Sequence, residues 1–262
     1  MRRGGVHELG QGRLTVGRVA NDALGMLTLG LGRIAGVAIV FFVLPAVLTA
    51  GIEVYLESEP AHGALELIIV LITVTLAVLL RTLGPIAFSG ILDEGVAQEY
   101  LRAHHQSMRS VLRRLPWRTL ILADIVVSFA VSFGLFFLIL PGLMLYGLLG
   151  LIGPVVVRER AGLRASLRRT IGLSTTVPVL VTVLVVIPFA LEQVIHESIM
   201  EGLLHDAQAP IQIIAEWLLA IFLGGTLGLV EVALATELMI RNPLPETAGA
   251  DLLLDDGQAP AV

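Results

Sequence analysis

Long apolar runs separated by short charged segments dominate the chain. Ile34–Ile52 carries no charged residue, Leu67–Leu92 carries one, Arg81, and Ile125–Val157 carries none over 33 residues. A helix needs about 20 apolar residues to cross the hydrocarbon of a bilayer. The 33-residue run would extend about 50 Å as one helix, too long for a single crossing. Pro141-Gly142 lies in its middle, a pair that breaks helices and turns chains. The pattern therefore predicts two spans there, Thr119–Leu140 and Leu143–Val157. Thr170–Leu191 is charge-free and predicts a fifth span. Ile211–Ile240, with Glu216, Glu231 and Glu237 inside it, predicts a sixth. No segment reads as a strand, so the expected fold is all-α, an integral membrane bundle of six transmembrane helices.

The basic residues sort along this pattern. All 17 are Arg. Five precede the first span, five lie between spans two and three, five between spans four and five, and Arg241 follows span six. Six crossings place all of these segments on one side. The opposite loops hold no Arg, but contain Glu53, Glu57, Glu59, Glu66, Glu192, Glu197, Glu201 and Asp206. The excess of Arg marks the cytoplasmic side, so both termini are expected inside. Exclusive use of Arg over Lys suggests a GC-rich bacterial genome, and hence a bacterial plasma membrane. The 33 residues before the first apolar run exceed a usual signal-peptide n-region, which favours an uncleaved anchor.

A helical stripe of apolar residues with an Arg face precedes each odd-numbered span. Val16, Val19, Ala20, Ala23 and Leu27 form the first, with Arg18 and Asp22 on another face. Val96, Tyr100, His104, Met108, Val111 and Leu115 form the second. Leu163, Leu167, Ile171 and Ser174 form the third, against Arg160, Arg164 and Arg168. Such helices suit the headgroup plane, with Arg toward anionic phosphates. The chain thus reads as three copies of interfacial helix, span, outer turn and span, although positive-inside bias alone also explains the Arg. The expected organisation is a cytoplasmic segment over 1–33, a membrane domain over 34–241 and a tail over 242–262. Four acids and no Arg after residue 245 give that tail a disordered composition.

From Leu140 onward the features follow a recognisable order. Leu140-Pro141-Gly142 opens a span that ends at Pro154-Val155-Val156-Val157, with Arg158-Glu159 after it and Leu167-Arg168-Arg169-Thr170-Ile171-Gly172-Leu173 before the next span. This order resembles the bacterial six-span membrane domain of glycerophosphoryl diester phosphodiesterases and its stand-alone relatives. Thr170 stands where that family usually has Ser, and Ser166 where it usually has Ala. The resemblance implies the membrane architecture. It does not bring the hydrolysis, because a catalytic barrel needs about 250 further residues.

Charged residues within the apolar runs are the candidates for chemistry, since each is costly in hydrocarbon. Arg81 and Glu231 fall at similar depths in spans two and six, and Asp124 and Glu237 lie nearer the cytoplasmic ends of spans three and six. A buried polar cluster is expected, with Arg81 paired to Glu231 or Asp124. It would serve as an ion or proton path, as a seat for a lipid phosphate, or as a salt bridge that fixes helix register. In the outer loop Glu192/His196 and Glu201/His205 are i,i+4 pairs that could face a divalent ion, but no closed metal motif surrounds them and a solvated face is the default. Gly32/Gly36, Gly224/Gly228 and the Gly147, Gly150, Gly153 series allow close helix contact. Pro45, Pro85, Pro178 and Pro188 kink or end spans.

Composition narrows the function. Hydrophobic types make up 56% of 262 residues and charged types 15%, with a mean hydropathy of +0.88. About a quarter charged is usual for soluble domains, so an ordinary soluble enzyme is excluded. The absence of Cys excludes disulfides, thiolate metal sites and Cys nucleophiles. No catalytic triad, Walker loop or dinucleotide fingerprint is present. The expected function is therefore non-enzymatic: a membrane scaffold or accessory subunit engaging anionic lipid or a partner protein, with no cofactor and no nucleic acid. The alternative is a small transporter or lipid carrier that uses the intramembrane charges.

Overall fold

The computed structural model describes residues 12–44, 47, 63, 68, 70–73, 84–102, 106–199, 211, 214, 215 and 218–244. Among these the chain is all-α, without a strand. Helix α1 covers Val16–Val43 and α2 covers 84–102. Short α3 is Met108–Arg114. Helix α4 is Trp117–Phe137, α5 Ile139–Leu149 and α6 Ile152–Glu159. Helix α7 is Leu163–Thr176, α8 runs over 178–197, and α9 is Ile221–Arg241. Among the described residues four stretches are long and apolar enough to cross a membrane: α1, α4, the α5–α6 unit Ile139–Glu159, and α9. The bent pair α7–α8 adds a fifth if it is taken as one span. Parts of the first, second and sixth expected spans lie outside the described residues.

Helix α9 is central. Burial takes in nearly every residue from Gly225 to Met239, Glu231 and Glu237 included. Glycines let its neighbours approach. A Cβ on Gly228 would stand 2.7 Å from the Phe88 ring of α2, and one on Gly224 would stand 3.0 Å from the Phe42 ring of α1. Helix α5 meets α8 in the same way, through Gly147 against Val186. Gly153 of α6 lies against Ser89 and the Ile86 carbonyl of α2. These glycines serve packing, as expected of small residues between helices. Gly32 and Gly36 have open space before them.

Helices α4 and α5 form a tight antiparallel hairpin. The reversal is three residues earlier than Pro141-Gly142. Helix α4 ends at Phe137, Leu138 is extended (φ −156°, ψ 131°), and α5 begins at Ile139. Pro141 occupies the first turn of α5, where its missing N–H costs nothing within the helix. Gly142 lets the two helices touch, since a Cβ on Gly134 would be 2.8 Å from the Gly142 Cα. The pair thus shapes the helix after the turn and does not make the turn.

The three expected interfacial helices fare differently. The first is no separate element, because α1 runs unbroken across residues 33 and 34. The second divides, with Val96 and Tyr100 on α2 and Val111 on α3; His104 lies outside the described residues. The third is α7, set at 100° to α8 where Pro178 interrupts the helix after Val177. Its buried face is Ser166, Thr170, Leu173 and Ser174, while Ile171, expected on the apolar stripe, is exposed.

Candidate functional site

The ends of α1, α2, α6, α7 and α9 converge, and ionic side chains join them. The Arg18 Nε of α1 donates to Glu237 Oε1 of α9 at 2.7 Å, and Arg241 Nε donates to Glu237 Oε2 at 2.9 Å. Glu237 is wholly buried, so each carboxylate oxygen is met by a guanidinium. Tyr100 Oη of α2 donates to Asp22 Oδ1 of α1 at 3.4 Å. Burial and the neighbouring Asp22 carboxylate raise the Tyr100 phenol above its ordinary value.

A second group joins α2, α6 and α9. Arg158 Nε donates to Asp93 Oδ2 at 3.3 Å, Arg158 Nη2 meets Asp93 Oδ1, and the same Nη2 donates to Thr236 Oγ1 at 2.8 Å. Burial lifts the Asp93 carboxyl above the usual carboxylate range, against the pull of Arg158. Asp93 opens a π-helical turn, Asp93–Ala97. Such a turn displaces backbone carbonyls from the regular ladder, and Arg33 Nη1 of α1 donates to Gly95 O within it at 2.8 Å while pairing with Glu99. At the far edge Arg169 of α7 donates to Glu159 Oε1 at 2.9 Å and meets Asn242 O beyond α9.

Five arginines, Arg18, Arg33, Arg158, Arg169 and Arg241, are therefore partly buried partners of acids, four of them on another helix and Arg241 one turn from Glu237 on α9 itself. Arg18 was expected on the headgroup face of an interfacial helix; here it is tied to Glu237. Eight others, Arg13, Arg109, Arg113, Arg114, Arg118, Arg160, Arg164 and Arg168, are exposed, and none forms an ion pair among the described residues. Arg164 and Arg168, four residues apart on α7, share one outward face, and exposed Arg160 lies in the left-handed turn that closes α6.

Of the expected intramembrane cluster, Asp124, Glu231 and Glu237 lie among the described residues. Glu237 belongs to the ionic layer. Glu231 accepts a 2.7 Å hydrogen bond from Tyr146 Oη of α5. Asp124, 1% exposed, accepts the Ala87 backbone N–H of α2 through Oδ2 at 3.3 Å, two residues beyond Pro85, and among the described residues its Oδ1 has no hydrogen-bond partner. Arg81 lies outside the described residues, as do the His196, Glu201 and His205 side chains. Among the described residues no group of three His, Asp or Glu could hold a metal ion.

Sequence reasoning missed Tyr146, Asp93 and the polar face of α7. A lone Tyr in an apolar run was the available signal for the first. The i,i+4 series Ser166, Thr170, Ser174 was the signal for the last. Thr170 Oγ1 donates back to Ser166 O at 2.8 Å, and Ser174 Oγ donates to Leu148 O of α5 at 3.1 Å. No family model, curated protein or solved structure matches the chain.

Proposed function

We propose that the chain is a multi-pass protein of a bacterial plasma membrane, with six spans and both ends cytoplasmic. It acts there as a non-enzymatic scaffold or accessory subunit that holds anionic lipid headgroups. One observation carries this reading: eight exposed arginines stand outside the ionic layer, with Arg164 and Arg168 one turn apart on α7 and Arg160 in the turn just before it. Guanidinium groups form paired hydrogen bonds with phosphate oxygens, and each basic residue near an anionic surface contributes about 1 kcal/mol of attraction. The 100° bend between α7 and α8 supports placement of α7 along the headgroup plane. The order of features over residues 140–173, which resembles the phosphodiesterase membrane domains, supports the same architecture. Native mass spectrometry of the detergent-extracted protein tests the lipid claim. The wild type is expected to retain anionic phospholipid and the triple variant R160Q/R164Q/R168Q to lose most of it. Equal retention by both overturns the reading.

A second reading, a carrier of protons or cations, is favoured by Asp124, whose Oδ1 has no hydrogen-bond partner among the described residues, and by Glu231, which accepts from the Tyr146 hydroxyl. Proteoliposomes that pass no proton or alkali cation above the level of an E231Q variant would eliminate it.

A further inference from the structure

We propose that the tip of the α4–α5 hairpin ends inside the outer leaflet, among lipid acyl chains, and does not emerge into water. The inference rests on the membrane reading above and goes beyond it by removing the outer aqueous turn between the third and fourth crossings. Phe136, Phe137, Leu138, Ile139 and Leu140 are five consecutive large apolar side chains, each between 63% and 83% exposed. Residues 133–145 contain no polar side chain. A turn that reaches water ordinarily carries Gly, Asn, Asp or Ser, and an exposed apolar patch of this kind marks a contact with something apolar.

Length agrees. From exposed Arg118, at the arginine-rich end, to Phe137 is 19 residues, or about 29 Å of helix. The hydrocarbon is about 30 Å thick, and an ordinary tilt of about 20° shortens the reach to roughly 27 Å. The one non-helical residue of the turn is also satisfied. Lipid tolerates a non-helical residue only where its polar groups are satisfied. The chain reverses through Leu138 alone. The Leu138 N–H donates to Gly134 O at 3.0 Å, and the Leu138 carbonyl accepts from the Gly142 N–H at 3.4 Å. Pro141 removes one more donor from the first turn of α5. Phe133 and Phe137 pack on one another with ring centroids 4.7 Å apart, and Phe136 and Phe137 at 5.3 Å, which makes a blunt aromatic tip.

Absence of native Cys allows single spin labels in the full chain. Leu138→Cys and Leu140→Cys would be labelled in liposomes beside two references: Phe129→Cys on the outer face of α4 and Arg113→Cys at the arginine-rich end. Collision rates with oxygen, which concentrates in hydrocarbon, and with a water-soluble nickel chelate are then read. The proposal expects labels 138 and 140 to match 129, with high oxygen access and loss of nickel access. Nickel access equal to that of 113 places the turn in water and overturns the proposal. Low access to both reagents means that a second copy or another protein covers the tip, and overturns it too. Nickel access at 129 itself would instead sink the underlying membrane reading.

Discussion

Two sets of arginines share one end of this molecule and do opposite work. Arg158 lies beneath the surface between Asp93 of α2 and Thr236 of α9. Arg164 and Arg168, on the neighbouring α7, face outward. The sequence pattern treats both alike, since a rule of sidedness counts guanidinium groups whatever they touch. What separates them is whether the fold brings a carboxylate from a remote segment. Where it does, the guanidinium becomes a fixed joint between helices. Where it does not, the charge remains available to an external anion. Counting Arg therefore reports orientation, while tracing their acids reports architecture.

This contrast breaks first at Glu237. Glu237→Ala leaves Arg18 and Arg241 without their shared carboxylate, and loss of one partner from a buried ion pair costs about 3–5 kcal/mol. Strongly reduced abundance and a lowered thermal midpoint in detergent are expected. A wild-type midpoint would show that the layer contributes nothing. Asp93→Asn keeps the shape and loses a charge-assisted contact to Arg158, for an expected loss of about 1.5–3 kcal/mol by the same measurement. Arg33→Gln removes a pair that is partly open to solvent, with side chains 18% and 20% exposed. With its bond to Gly95 O, the expected loss is only about 1 kcal/mol. Arg164→Gln should change stability by less than about 0.5 kcal/mol, while the lipid retained by the purified protein falls.

Much of the frame was legible in the sequence, and the reasons are physical. Apolar runs must be long to cross hydrocarbon, so the membrane helices α4 and α9 announce themselves by length. Arg sorting is a rule about sidedness, so the convergence of helix ends was legible too. The partners were not. Arg18 and Glu237 are 219 residues apart, and nothing local says that α1 lies along α9. Glu237 was recognisable as an intramembrane acid with Arg241 one turn away, but its second cation, Arg18, could be found only through the packing that glycines such as Gly224 permit. Pro141-Gly142 misled by three residues because a pair that breaks helices is equally at home in a first helical turn. Ile171 was set on the apolar stripe of α7 by spacing alone; it is exposed, and small Ser166, Thr170 and Ser174 take the buried face because they allow close helix contact.

Thermal unfolding of two triple variants in the same zwitterionic detergent tests the division of the arginines most directly: R18Q/R158Q/R169Q from the paired set and R160Q/R164Q/R168Q from the exposed set. The first is expected to melt far below the wild type, and the second beside it. The wild type and the first variant, where folded, should still gain stability from added anionic lipid, and the second should not. Equal melting of both variants, or an undiminished lipid response in the second, would contradict the account.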